Sequence, residues 1–290
     1  MAASLQPLFS AITFLLLIAS LIGSSEAAGI VRYWGRGHTE PKSVSEFCRR
    51  EFATDVNIAF LEDFGSGQMP QLSIIHPRPS AADIESCQKH QTKVFISLAG
   101  PPRLSSVEDA EEVAAYIWNT YLGGQSSDRP FGKAVLDGVE LHIHSGNTNY
   151  LDDLARALKG YPNVILAVAA ECPIPDPALD ATIKTGLVDQ VRVEFFDNPS
   201  CQIRPPKDTS LLFRSWDRWS NYRGVNLLFL GIPISKDIAP EGGYIPPNVL
   251  VDDVLPYLKN SSVYGGIMVF PYLHHEVTFK SMLRSYAGAV

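Results

Sequence analysis

The sequence predicts one (β/α)8 TIM barrel with two disulfides, and three observations point to it. Strand-like apolar runs recur eight times, amphipathic helical patterns lie between them, and proline and glycine gather just after the runs. The runs occupy residues 30–34, 56–61, 93–98, 135–143, 164–170, 190–196, 226–232 and 266–270. Helical patterns at 107–121, 150–158, 211–222, 249–258 and 277–286 place apolar residues at spacings of three and four, as a helix with one buried face requires. Gly100-Pro101-Pro102, residues 173–177, Pro199, Pro205-Pro206 and Pro233 follow the runs, where barrels of this class carry their functional loops. No repeat, linker or low-complexity tract divides the chain.

Before the first strand, residues 8–22 are almost uninterruptedly apolar and are followed by the small residues Gly23-Ser24-Ser25-Glu26-Ala27-Ala28. This is the pattern of a secretory signal peptide cleaved at Ala27 or Ala28, and the run falls short of the roughly 20 residues a membrane span needs. The expected organisation is a signal peptide over residues 1–27 and a barrel domain over 28–290, secreted and extracellular, with no membrane as partner. The formal net charge is −7, and Glu26 is the leader's only charge, so the barrel stays acidic; nucleic acid and anionic membranes are poor partners for it. Cys48, Cys87, Cys172 and Cys201 are even in number in a secreted chain, which favours two disulfides over a metal cluster. Three pairings are open, and spacing favours Cys48–Cys87 and Cys172–Cys201, each joining neighbouring βα units. Asn260-Ser261-Ser262 is a glycosylation sequon, whereas Asn198-Pro199-Ser200 is excluded by its proline.

The fourth run differs from the rest. In Leu136-Asp137-Gly138-Val139-Glu140-Leu141-His142-Ile143-His144 the apolar residues alternate with Glu140, His142 and His144. Those three share one strand face, roughly 6.6 Å apart along the strand, and in a parallel barrel that face points inward. A row of ionisable groups there calls for an explanation. His-x-His at a strand end suits zinc in some hydrolases. The ends of strands five and six offer only Glu171 and Asp197 as further ligands, and His274 and His275 read as loop histidines, so neither a metal nor another cofactor is expected. Glu140 is instead expected to partner His142 or His144. Trp34, Trp216 and Trp219 could stack on sugar rings, but helical spacing favours packing for the latter two. Ser97 and Asp137 are expected to brace strands.

The order Tyr33-Trp34-Gly35, Asn57-Ile58-Ala59-Phe60-Leu61, Ser97-Leu98-Ala99-Gly100, Asp137-Gly138-Val139-Glu140, Phe195-Phe196-Asp197-Asn198, Gly243-Tyr244-Ile245-Pro246-Pro247 and Gly265-Gly266-Ile267-Met268 resembles plant class III chitinases of glycoside hydrolase family 18. The likeness spans the barrel domain and implies the family's fold, and the four cysteines fall where that family has bridges. The family's strand-four signature, D-x-x-D-x-D-x-E, lies over Asp137, Glu140, His142 and His144. Its last Glu, the general acid, is thus His144, and the Asp that stabilises the substrate's attacking N-acetyl group is His142. The family's catalytic tyrosine corresponds to Phe196, and Phe270 stands where chitinases commonly carry a sugar-stacking tryptophan. Loss of a positioned acid removes about 10²–10⁴ in rate, and loss of an electrostatic stabiliser roughly another 10²–10³. A positive imidazole beside a cationic transition state would add repulsion. Chitinase activity is therefore expected to be lost, so the chain is not expected to be an enzyme.

Among family members without the catalytic carboxylates, the resemblance points to cereal xylanase-inhibitor proteins, which block fungal endo-1,4-β-xylanases. The expected function is a monomeric apoplastic defence protein that inhibits xylanases of families 10 and/or 11. The connection Lys159-Gly160-Tyr161-Pro162-Asn163 is short where such inhibitors carry a long basic loop, and Pro247-Asn248-Val249-Leu250-Val251-Asp252-Asp253 is acidic. Lys159, Arg204, Lys207 and Lys236, all in predicted loops, are the basic candidates for contact. The alternatives are a lectin-like or storage protein binding chitin oligosaccharides through Trp34, Phe196 and Tyr244, and a residual hydrolase using His144 or a metal.

Overall fold

Strands buried on both faces read as continuous apolar runs, because in a parallel barrel one face packs inward and the other meets the helices. The computed structural model of the protein describes residues 28–270, 281–283 and 286, and within it such runs form eight parallel strands. They are β1 (Gly29–Trp34), β2 (Asp55–Glu62), β3 (Lys93–Ala99), β4 (Gly138–His142), β5 (Ile165–Glu171), β6 (Gln190–Glu194), β7 (Leu228–Pro233) and β8 (Tyr264–Phe270). Each pairs with its successor, and β1 also pairs with β8, which closes the ring. A two-residue strand, Gln71–Leu72, adds antiparallel to the end of β2. The predicted leader at 1–27, His274 and His275, and most of the predicted last helix lie outside the described residues. Among those described, no helix is long and apolar enough to cross a membrane.

The intervening helices are α1 (Val44–Arg50), α2 (Ala81–Lys89), α3 (Val107–Tyr121), α4 (Leu151–Lys159), α5 (Asp180–Lys184) and α6 (Ser210–Ser220). The next, α7, passes from Pro247–Val249 through a π turn at Leu250–Val254 to Leu255–Leu258. Pro256 explains the widened turn, since it has no N–H for the preceding turn and its ring crowds the carbonyl four residues back. Several helices start on side-chain caps: Ser43 for α1, Ser106 for α3, and Ser80 for α2, where Asp83 completes a capping box. One large apolar cluster fills the space between strands and helices. A smaller one, Val31, Tyr33, Ala59, Phe229 and Met268, fills part of the ring.

Cys48 on α1 bridges Cys87 on α2, and Cys172, just past β5, bridges Cys201 in the loop after β6. The fourth strand is shorter than the run that predicts it. It begins at Gly138, where a Cβ would run into the Ile165 carbonyl and the Phe95 ring, and it ends at His142. Asp137 lies just below, its Oδ2 accepting from the Val94 N–H at 2.8 Å and from Gln88 Nε2 at 3.0 Å. It braces the base of the strand, well away from the mouth of the barrel.

Candidate functional site

Inward-facing polar residues occupy alternate positions on adjacent strands, and the register brings them level. Tyr33 pairs with Asn57, Ser97 with Glu140, and Glu171 with Glu194. Two storeys result. In the lower one, Glu140 accepts from Tyr33 Oη at 3.0 Å, Asn57 Nδ2 at 3.1 Å and Ser97 Oγ at 2.7 Å, and it is paired with the guanidinium of Arg192. Arg192 also donates to Asn57 Oδ1 at 3.1 Å, Asp55 Oδ2 at 3.2 Å and Gln190 Oε1 at 2.6 Å, and lies 4.7 Å from the centre of the Phe95 ring. Both Glu140 and Arg192 are wholly buried. Burial pushes the Glu140 carboxyl up, but the Arg192 charge and the hydrogen bonds outweigh it and hold the group at about 2. Glu140 is therefore a fixed carboxylate with no proton to give. Burial and the Glu140 charge together push the Tyr33 phenol well above its ordinary range.

The upper storey holds the two histidines. His142 Nε2 lies 3.4 Å from Glu194 Oε1, and its Nδ1 lies 3.8 Å from Glu140 Oε2. Burial disfavours the imidazolium, yet bonding and charge from Glu140 and Glu194 raise its pKa to about 9. The edges of Tyr33 and Phe60 approach its ring at 5.5 Å, and Phe270 lies at 5.6 Å. His144 follows two residues past the strand, half-buried, with Nδ1 3.4 Å from Glu171 Oε1 and Nε2 3.9 Å from Glu194 Oε2. The two imidazoles sit 4.7 Å apart. Phe196 is buried just beyond β6 against Gly243, where a Cβ would come within 2.5 Å of the Phe196 Cα.

The expected contact of Glu140 with His142 is present, although Arg192 is the stronger partner. Several other placements differ from expectation. Trp34 is no sugar platform: it is 1% exposed and donates through Nε1 to the Pro41 carbonyl at 2.7 Å. Trp216 and Trp219 are equally buried, as their helical spacing predicts. Asp197 braces a loop, accepting from the Glu241 N–H at 2.9 Å. Lys159 is the last residue of α4 rather than a loop residue. It pairs with Asp189 at 2.7 Å and donates to the Val164 carbonyl at the opposite end of the barrel from the histidines. Arg204 and Lys236, by contrast, line one groove of about 550 Å³ together with Tyr244 and several prolines. Lys207 is exposed in the same turn, which Arg204 pins by its 2.6 Å contact with Asp208. Asn260 is exposed just after α7, its amide donating to the Pro256 carbonyl at 3.1 Å.

Sequence reasoning passed over Arg192 and Glu194. The signal was present, since Gln190, Arg192 and Glu194 alternate with Val191 and Val193 on strand six just as the ionisable residues do on strand four.

No protein-family model matches the chain. It is 45% identical over 265 residues to an acidic endochitinase of Cucumis sativus, spanning 88% of this chain and 89% of that one. Among solved structures it is similar to the ICChI chitinase from Ipomoea carnea, with a TM-score of 0.79 and 35% identity over 90% of this chain and 97% of that one. It is equally similar to the xylanase and alpha-amylase inhibitor protein from Scadoxus multiflorus, with a TM-score of 0.80 and 32% identity over 90% of this chain and 98% of that one. On the closed barrel and on identity sustained over nearly nine-tenths of an endochitinase, the chain belongs to the plant acidic endochitinase family, the class III chitinases of glycoside hydrolase family 18.

Proposed function

We propose that this chain is a non-catalytic member of its family, a secreted defence protein that binds fungal endo-1,4-β-xylanases of family 10 or 11 and blocks their clefts. The observation that carries this reading is the tip of strand four. The two positions that would hold the stabilising Asp and the acid are His142 and His144, and the one carboxylate left on the strand is anchored by Arg192. The combined loss amounts to at least about 10⁴ in rate. A protonated His142 would also stand where positive charge develops on the sugar.

A protein that cannot cleave can still bind. The similarity to a protein described as a xylanase and alpha-amylase inhibitor supports that mode of action. So does the groove after β6 and β7, which gathers Arg204 and Lys236, with Lys207 exposed nearby. Among the described residues neither lysine forms an ion pair, so both are available to a cleft lined with paired carboxylates, where desolvated charge-assisted contacts dominate affinity. In this reading residues 1–27 are removed on secretion and Asn260 carries a glycan.

The test is to titrate the purified secreted protein into family 10 and family 11 xylanases, with a chitinase assay on the same preparation. Inhibition of either xylanase at micromolar protein without chitin cleavage is the expected result. Full activity of both xylanases would overturn the inhibitor reading, and chito-oligosaccharide turnover abolished by His144→Ala would return the chain to the enzymes.

A further inference from the structure

We propose that His142, His144 and Glu194 form a binding site for a divalent transition-metal ion, zinc first, at the mouth of the barrel. One donor atom from each of the three lies within 4.8 Å of the other two. In a tetrahedral zinc site neighbouring donors are about 3.4 Å apart, given metal–ligand distances near 2.1 Å. His142 Nε2 and Glu194 Oε1 are already at 3.4 Å, and His144 Nε2 is 3.9 Å from Glu194 Oε2. Closing the remaining gap needs a small rotation of His144, which is half-buried and beyond the end of its strand.

A second observation also points to a ligand. Glu194 Oε1 and His144 Nε2 are buried and have no hydrogen-bond partner. Each such atom has lost its water without a replacement unless something satisfies it. Both atoms belong to residues of that donor cluster. On the far sides of the rings, His144 Nδ1 is 3.4 Å from Glu171 Oε1, and His142 Nδ1, which has no hydrogen-bond partner, is 3.8 Å from Glu140 Oε2, so each ring has a carboxylate behind it that raises its basicity. Charge favours a dication as well. Glu140, Glu171 and Glu194 each come within 4 Å of one of the two imidazoles, and of these Glu140 is also paired with Arg192.

Two imidazoles and one carboxylate suit zinc, with a fourth position open towards the barrel mouth; copper and nickel would compete on affinity. The expectation of no metal counted Glu171 and Asp197 as the only further ligands. Glu194, the last residue of β6 and three before Asp197, is the missing one. This site stands apart from the xylanase surface, and either can exist without the other; zinc takes the place of the proton that His142 otherwise holds between Glu140 and Glu194, so binding releases that proton.

The test uses the untagged full chain, stripped with a chelator and titrated with Zn²⁺ by calorimetry near neutral pH, with zinc content then measured after dialysis. The expected result is one zinc per chain with micromolar or tighter affinity, weakened at least about tenfold in His144→Gln and in Glu194→Gln. Both variants are to be checked for a native melting transition, and His144→Gln, at a half-exposed position, is the one expected to keep it. Absence of saturable uptake by the native chain, or uptake unchanged in a folded His144→Gln, would overturn the site.

Discussion

Arg192 holds the polar interior together. Its five donors meet Glu140, Asp55, Asn57 and Gln190, and no water-exposed surface remains on it. Removing it would leave Glu140 and Asp55 as buried, uncompensated carboxylates, a change that costs about 3–5 kcal/mol. Arg192→Met should lower the unfolding free energy by that amount, and adding Glu140→Gln should recover part of it; a urea titration of native, single and double forms reads the effect. Lysine should not substitute, because a point charge cannot reach several acceptors around a planar fork. Of these residues the sequence exposed Glu140 and the two histidines, because three ionisable groups in alternation are conspicuous. Arg192 stayed hidden although Gln190, Arg192 and Glu194 alternate with Val191 and Val193, because no local pattern says that its charge meets a carboxylate two strands away.

At the scale of elements, α1 and α2 are joined by one carboxylate as well as by a disulfide. Asp83 accepts from Ser80 Oγ at 2.7 Å, Ser43 Oγ at 3.0 Å and Ser45 Oγ at 2.8 Å, so it caps α2 and ties in the cap of α1. Slight burial works against its charge, but these bonds win and hold it at about 2 instead of 3.8. A depressed carboxyl stabilises the fold above its unfolded value, and that contribution disappears as pH falls through the folded one. Asp83→Asn should therefore cost about 1 kcal/mol at neutral pH. The gap between native and variant midpoints should shrink as pH drops from 3.8 towards about 2. Equal gaps at both ends of that range would show the carboxylate to be idle. Helix α1 escaped the periodicity reading because seven residues are too few to repeat an apolar stripe, and α2 because it buries only Ile84 and Cys87, although Ser80 three residues before Asp83 is a legible cap. The widened turn in α7 follows from Pro256, and its acidic face bears on the proposed contact surface only by being unsuited to it.

At the scale of the whole molecule, the two bridges close loops of 39 and 29 residues between consecutive βα units. Loop closure of that length is worth about 4 kcal/mol per bridge on the chain-entropy account. Reduction should consequently lower the melting temperature well beyond any single surface substitution, and calorimetry with and without a thiol reductant measures it. An unchanged melting transition after full reduction would contradict this. The architecture was legible because eight apolar runs separated by helical stripes admit few other arrangements. The surface was not: whether Lys159 sits beside Arg204 or across the barrel depends on where strand ends point, which no local pattern encodes.

Closure of the ring has a further consequence for a chain expected to work outside the cell. Every barrel strand has a neighbour on each side, so along the ring no row of unpaired backbone groups invites another chain to add on. Among the described residues, the strand left with an open flank is Gln71–Leu72, two residues long. That is too short to template aggregation, and a protein built this way should persist at high local concentration without forming fibres.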